Sequence, residues 1–65
     1  MNYLRELREL RGLTQVEVAE ALGVTRNYIW YLETDKRKPS IGTAKGYSDL
    51  FGVSVDKIIE EIGVE

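Results

Sequence analysis

The chain has 65 residues, enough for one domain and close to the smallest size at which a core without disulfides or metals holds a fold. It contains no cysteine and no histidine, so disulfides, thiolate chemistry, the commonest metal ligand and the commonest general base are missing. We therefore expect no enzyme, no cofactor, no metal and no small-molecule ligand. Its apolar stretches are too short for a signal peptide or a membrane span, and we expect a soluble cytoplasmic protein without membrane contact.

The net charge of −2 is distributed unevenly. Residues 1–48 carry eight basic and six acidic side chains, whereas residues 49–65 carry five acidic side chains and Lys57 alone. DNA affinity rests largely on cations that meet phosphates, so the overall sign is unfavourable for a nucleic-acid partner. If the acidic last quarter faces away from DNA, salt screens its charges beyond roughly 8 Å. The charge therefore neither favours nor excludes DNA binding.

The first two predicted helices are short and end at glycines. Leucines at helical spacing, followed by Gly12, predict a first helix over residues 3–11. Thr14 and Glu17 have the spacing of a capping box and mark the start of the second helix. Gly23 stands where a chain that leaves a helix commonly needs a positive φ, so the second helix is about two turns long.

Three further helices are predicted after Gly23. Thr25 is a good N-cap for a third helix that runs to about Glu33. Ser40, after a helix-breaking proline, can cap a fourth helix, although its two glycines each cost about 1 kcal/mol in a helix interior. Ser54 caps the last helix. The apolar positions predicted to face inward along these five helices and the turn after Gly23 are Leu4, Leu7, Val18, Ala19, Leu22, Val24, Ile29, Leu32, Ala44, Tyr47, Phe51 and Ile58.

Residues 15–33 have the pattern of two short helices that cross closely. Ala19 is small where the second helix presses on the first, and Gly23 makes a sharp turn four residues later. Such a pair presents its second helix outward, and the DNA major groove, about 12 Å wide, admits an α-helix. We therefore interpret residues 1–65 as one DNA-binding domain with a helix-turn-helix unit at about residues 15–33.

Several short motifs occur in one order along nearly the whole chain, from about Leu4 to Ile59. They are Leu4-Arg5-Glu6-Leu7-Arg8, Gly12-Leu13-Thr14-Gln15, Val18-Ala19, Leu22-Gly23-Val24, Ile29, Leu32-Glu33, Lys36, Pro39-Ser40 and Gly52-Val53-Ser54. With these spacings the chain resembles the Cro and phage-repressor (Xre) family of helix-turn-helix domains. The resemblance implies an all-α, compact, five-helix lambda-repressor-like fold that binds operator DNA, commonly as a two-fold dimer, and regulates transcription.

The chain departs from the family pattern around the fourth helix. Ala44 and Tyr47 stand where aliphatic residues are usual, Leu50 stands where a small residue is usual, and Asp35 stands where glycine is frequent. We therefore expect the fourth helix to be repacked around Tyr47 and Phe51, and the turn after the third helix to differ.

The outer face of the third helix is the candidate reader of DNA bases. Arg26 can contact guanine O6 and N7, and Asn27 can contact adenine N6 and N7, in the bidentate way that distinguishes base pairs. Alternatively, Arg26 pairs with a surface carboxylate or a phosphate. Trp30 either contacts thymine methyls or sugars, or packs on the loop near Lys36 or on a protein neighbour. The candidate base-reading residues are Thr25, Arg26, Asn27, Trp30 and Tyr31.

A second set of residues is predicted to contact DNA phosphates. Gln15 stands at the positive end of the second helix, and the resemblance supports a phosphate contact there. Tyr28 can donate its hydroxyl to a phosphate, unless it is simply a surface residue. Lys36, Arg37 and Lys38 are interpreted as a phosphate clamp that positions DNA without reading its sequence, or as a solvated charge run.

The remaining site predictions are structural. The resemblance implies a partly buried ion pair between Arg8 and Glu33 that fixes the third helix. Ile59, Ile62 and Val64 are more aliphatic surface than a short terminal helix buries, and predict a homodimer interface. Alternatively, Ile62 and Val64 cap an otherwise thin core and the protein meets its partner only on DNA. We expect the protein to be a transcriptional regulator, and more specifically a repressor, that binds double-stranded DNA at a short palindromic operator. The alternatives are a protein-interaction module on the same fold and the antitoxin half of a toxin-antitoxin pair.

Overall fold

The computed structural model describes residues 2–65, which form five α-helices. They are α1 (Tyr3–Leu10), α2 (Gln15–Leu22), α3 (Arg26–Glu33), α4 (Ile41–Phe51) and α5 (Val55–Glu61). The predicted all-helical, five-element fold is confirmed. No helix in the described part of the chain has the length and apolar content needed to cross a membrane.

Every helix begins after a side chain that accepts a hydrogen bond from the third residue of that helix, which satisfies an otherwise free backbone N–H. These N-cap residues are Asn2, Thr14, Thr25, Ser40 and Ser54. The predicted capping box is confirmed, since Thr14 N also receives the Glu17 carboxylate at 2.8 Å. Thr25 is the N-cap of α3, as predicted, and the helix itself begins at Arg26.

The core lies between all five helices and consists of the apolar side chains that face inward. Its buried members are Leu4, Leu7, Val18, Ala19, Ile29, Leu32, Ala44, Tyr47, Phe51, Ile58 and Ile62. All of the predicted inward positions are buried except Leu22 and Val24, which are partly exposed at the edge of the core. Ile62, in contrast, was predicted at a homodimer interface and is buried, which favours the alternative that it caps the core.

The fourth helix is the longest, with 11 residues, although it contains Gly42 and Gly46. Its stability comes from packing. Tyr47 and Phe51 stack in the core with ring centroids 5.8 Å apart, as the unusual residues of this helix predicted. A Cβ at Gly46 would lie 2.9 Å from Leu22 Cδ2 of α2, so a larger residue there would displace the Leu22 side chain. The glycine that weakens α4 locally therefore leaves room for Leu22 between α2 and α4.

Candidate nucleic-acid interface

Helices α2 and α3 form a tight pair joined by a sharp turn. Gly23 adopts the left-handed conformation with φ 70°, which a side chain would disfavour. Val24 N donates to Ala19 O at 3.0 Å and closes the turn. Among the described helices, α2 and α3 share the most extensive contact. This pair buries one side of α3 and leaves the other open to solvent.

The two sides of α3 differ sharply in exposure. Ile29 and Leu32 are fully buried and Glu33 is 2% exposed. The five candidate base-reading residues, Thr25, Arg26, Asn27, Trp30 and Tyr31, are all exposed. Thr25 Oγ1 accepts the Tyr28 N–H at 3.2 Å, so this hydroxyl already caps the helix. The structure therefore brings the candidate readers together on one outward surface that begins at the amino end of α3.

Trp30 and Tyr31 add a large aromatic area to this surface. Their rings meet edge to face with centroids 5.4 Å apart, and the two residues are 40% and 42% exposed. A pair of neighbouring exposed aromatic rings is unusual on a water-facing helix. Both rings are therefore placed to contact a partner that meets α3.

The loop after α3 folds back against the carboxyl end of that helix. Lys36 N and Arg37 N both donate to Tyr31 O, at 2.9 and 3.2 Å. All three predicted clamp cations are exposed, but they differ in their contacts. Arg37 pairs with Glu65 at 3.2 Å, and Lys38 Nζ donates to Ile62 O at 2.9 Å. Two members of the predicted phosphate clamp are thus also engaged within the chain.

Tyr28 connects α3 to the start of α4. Its hydroxyl receives the Ser40 N–H at 3.4 Å and lies 3.5 Å from Thr43 Oγ1. The Arg37 guanidinium lies over the Tyr28 ring, 5.4 Å from the centroid. The ring is half-buried, so Tyr28 has a packing role in addition to any contact through its hydroxyl.

A buried ion pair holds α3 against α1. Arg8 Nε and Nη2 donate to the two carboxylate oxygens of Glu33 at 2.6 and 3.0 Å, the bidentate geometry that makes such pairs strong. Arg8 Nη1 also donates to Leu13 O at 2.9 Å, in the turn before α2. The hydrogen bond to Glu33 raises the pKa of the Arg8 guanidinium above its ordinary value, in opposition to burial. The residues that the resemblance pairs are therefore in direct contact.

Gln15, predicted to contact a phosphate, also contacts this ion pair. Its side chain is half-buried, and Nε2 donates to Glu33 Oε1 at 3.1 Å. One amide hydrogen is thus used inside the protein. Only the rest of the amide remains for the phosphate contact predicted from the sequence.

The three residues predicted for a homodimer interface separate in the structure. Ile62 is 8% exposed and packs in the core of its own chain, which corrects its placement on the surface. The physical reason is helical: Ile62 N donates to Ile58 O at 2.8 Å, so Ile62 lies one turn after the buried Ile58 on the same side of α5. Ile59 is 38% exposed and Val64 is partly buried. Of the three, Ile59 offers the most surface to a second chain.

Sequence reasoning missed two polar residues that position the site. Asn2 caps α1 and also donates through Nδ2 to Leu32 O at 2.6 Å and Asp35 Oδ1 at 3.1 Å, which ties α1 to the end of α3. Thr43 joins the hydroxyl cluster of Tyr28 and Ser40. The sequence signal for Asn2 was its position before Tyr3, where an asparagine can cap a helix. The contacts of Thr43 depend on tertiary geometry, and no sequence signal indicated them.

Five helices, a close α2–α3 pair and a solvent-facing α3 together define a helix-turn-helix DNA-binding domain. The sequence model of the helix-turn-helix family matches residues 4–58 of the chain. The chain therefore belongs to the helix-turn-helix family, in its Cro and phage-repressor branch, as the resemblance implied.

Several curated proteins share this domain. The immunity repressor protein of Bacillus phage phi105 is 33% identical over 58 residues, which cover 89% of the chain and 40% of the repressor. The HTH-type transcriptional regulator PuuR of Escherichia coli is 34% identical over 58 residues, which cover 89% of the chain and 31% of PuuR. The chain thus spans less than half the length of these two relatives. An uncharacterized HTH-type transcriptional regulator of Methanocaldococcus jannaschii is 39% identical over 57 residues, 88% of the chain and 86% of that protein.

Proposed function

We propose that the protein is a sequence-specific transcriptional regulator that places α3 in the major groove of double-stranded DNA and acts as a repressor. The observation that supports this most strongly is the sharp division of α3. One side carries the buried Ile29, Leu32 and Glu33, and the other carries exposed residues suited to base edges. The fold holds α3 rigidly and leaves its polar side for a partner.

The dimensions and chemistry of α3 suit the major groove. An α-helix with its side chains is about 10–12 Å in diameter, which fits the groove width of about 12 Å. Arg26 and Asn27, the first two residues of α3, carry the side chains that make bidentate contacts with guanine and adenine. Trp30 and Tyr31, one turn further along, offer apolar surface to thymine methyl groups. These four residues are the proposed base readers.

Residues on both sides of α3 are the proposed phosphate contacts. Lys36 is exposed and follows α3 directly, while Gln15 stands at the start of α2. Such contacts fix the register of a protein on the duplex and carry no sequence information. Arg37 and Lys38 join them only when their contacts with residues 62–65 are broken.

The proposed target is a palindrome read by two copies of the chain. A single recognition helix covers only a few base pairs, and regulators of this kind place two helices about 34–36 Å apart on one face of the duplex. Repression is the proposed direction because, of the three similar proteins, the one from Bacillus phage phi105 is an immunity repressor by name and the other two are transcriptional regulators by name. A bound domain of this size acts by occluding the promoter.

Two measurements test the proposal. Selection of bound duplexes from a random library should yield a short palindromic consensus, and affinity for random DNA should fall steeply between about 50 and 200 mM salt. The exposed Trp30–Tyr31 pair also fits a protein-interaction module, which would bind a protein and show neither property. Recovery of no consensus, together with binding that is weak and independent of salt, would refute DNA recognition.

A further inference from the structure

Residues 62–65 return from the end of α5 to the loop that follows α3. Glu65 N donates to Pro39 O at 2.9 Å, and Lys38 Nζ donates to Ile62 O at 2.9 Å. The lysine ammonium therefore lies at the carboxyl end of α5, where free carbonyls favour a cation. Two hydrogen bonds thus hold this C-terminal segment beside the cations of the proposed clamp.

The segment brings a carboxylate onto one of those cations. Glu65 Oε1 accepts from Arg37 Nη2 at 3.2 Å, and the two side chains are 49% and 54% exposed. The Arg37 guanidinium also lies over the Tyr28 ring, 5.4 Å from its centroid. Because Arg37 N donates to Tyr31 O, the backbone of this residue is fixed against the end of α3. The Arg37–Glu65 pair therefore lies next to the end of α3, which carries the proposed base readers.

A carboxylate and a phosphate present equivalent acceptor oxygens to a guanidinium. We propose that Glu65 occupies the place of a DNA phosphate on Arg37 in the free protein, and that DNA must displace it. The inference rests on the proposed function and adds to it a carboxylate of the same chain that competes with DNA for Arg37. Residues 62–65 lower the affinity for DNA of any sequence, because the contact that they block carries no sequence information. An event that draws the segment away from the loop releases Arg37 and tightens binding.

The test compares affinities for one random-sequence duplex, measured by fluorescence anisotropy at low salt. Glu65→Gln keeps the size of the side chain and removes its charge. We expect this variant to bind about two- to fivefold tighter than the parent, the range that an exposed ion pair supports. In an Arg37→Ala background the same change should give no gain, since the guanidinium for which DNA and Glu65 compete is absent.

The matched control is Glu61→Gln, which makes the same change of charge four residues earlier, on a carboxylate that pairs with Lys57 at 3.2 Å. It should leave the affinity at the parent value. An equal gain from Glu61→Gln, or a gain from Glu65→Gln that persists without Arg37, would show general charge repulsion and overturn the inference. If the parent binds DNA with steep salt dependence and Glu65→Gln binds with the same affinity, the inference is overturned and the proposed function stands. Absence of DNA binding by both would refute the proposed function as well.

Discussion

The Gln15 amide donates to Glu33 Oε1 at 3.1 Å, so the first residue of α2 is tied to the last residue of α3. The same carboxylate receives two hydrogen bonds from Arg8 of α1. One buried side chain therefore links α1, α2 and α3. It does so from the inner side of α3, opposite the proposed base readers.

The first prediction concerns this carboxylate. The Arg8 side chain is only 13% exposed, so Glu33→Ala leaves a largely buried guanidinium without its carboxylate partner. This variant should lower the free energy of unfolding by about 3 kcal/mol. Urea denaturation measures the change. On the fraction that remains folded, base preference should be unchanged, since Glu33 does not face the proposed DNA surface.

The control for Glu33→Ala is Glu9→Ala. Glu9 also pairs with an arginine, Arg5, at 3.1 Å, but both side chains are about half exposed. This variant should change the free energy of unfolding by less than about 1 kcal/mol. Similar values for the two variants would mean that burial does not strengthen the Arg8–Glu33 pair.

The second prediction concerns Tyr47, whose hydroxyl is buried and has no hydrogen-bond partner among the described residues. A buried hydroxyl without a partner is unfavourable, and Tyr47→Phe retains the stacking on Phe51. The variant should therefore be as stable as the parent or more stable, by up to about 1 kcal/mol, in thermal or urea unfolding at neutral pH. A clear loss of stability would show that the hydroxyl makes a stabilising contact.

The same residue gives a prediction about alkaline pH. Burial raises the pKa of the Tyr47 phenol above its ordinary value of 10.0, and the negative charge of Glu33 adds to the shift. The unfolded chain therefore releases this proton first. The contribution of the neutral phenol to stability is complete below about pH 10 and is lost as the pH rises towards the folded pKa. Above pH 10.0 the stability of the parent should fall more steeply than that of Tyr47→Phe, and parallel slopes would contradict the shift.

Local signals made most of the fold predictable from the sequence. Thr14, Thr25, Ser40 and Ser54 cap the helices that they were predicted to cap, because capping depends on residues within one turn. The two sides of α3 followed from helical periodicity for the same reason. Gly46 was read as a weakness of α4, since its contact with Leu22 joins residues distant in sequence.

The candidate site was less predictable than the fold. Exposure of the α3 residues follows from periodicity, but their hydrogen-bond partners do not. Nothing in the pattern of residues 36–38 indicates that Arg37 contacts Glu65 and Lys38 contacts the end of α5. Ile62 was assigned to the homodimer interface because the last helix carries more aliphatic surface than a short helix was expected to bury, yet it lies one turn after Ile58 and is buried in its own chain. These outcomes depend on how the chain returns to the core, which a local pattern does not specify.

The third prediction separates base readers from phosphate contacts. Asn27→Ala should weaken binding to the selected operator by about 1–3 kcal/mol for each base contacted and leave random DNA nearly unaffected. Lys36→Ala should weaken both duplexes alike and reduce the slope of log affinity against log salt by about 1. Each variant serves as the control for the other. Equal losses on both duplexes for Asn27→Ala would remove this residue from the reading surface.

The fourth prediction concerns assembly through α5, where Ile59 remains exposed after Ile62 is assigned to the core. A two-fold contact pairs the same patch of both copies. Ile59→Asp should therefore convert a homodimer to a monomer in sedimentation at tens of micromolar, while circular dichroism stays unchanged. Ile62→Asp is unsuitable for this purpose, because a charge in the core unfolds the domain.

Leu10→Asp is the matched control for Ile59→Asp, since Leu10 is 84% exposed on α1 and the substitution is the same kind of change. It should leave the dimer intact.

The charge of α5 gives a second test of the dimer. The helix carries Asp56, Glu60 and Glu61 but only Lys57 as a cation, so a two-fold contact brings like charges together. Added salt screens this repulsion and should strengthen the dimer. Dissociation by Leu10→Asp alone would move the interface to α1. A parent that sediments as a monomer at every salt concentration, and binds operator half-sites without cooperativity, would refute the homodimer.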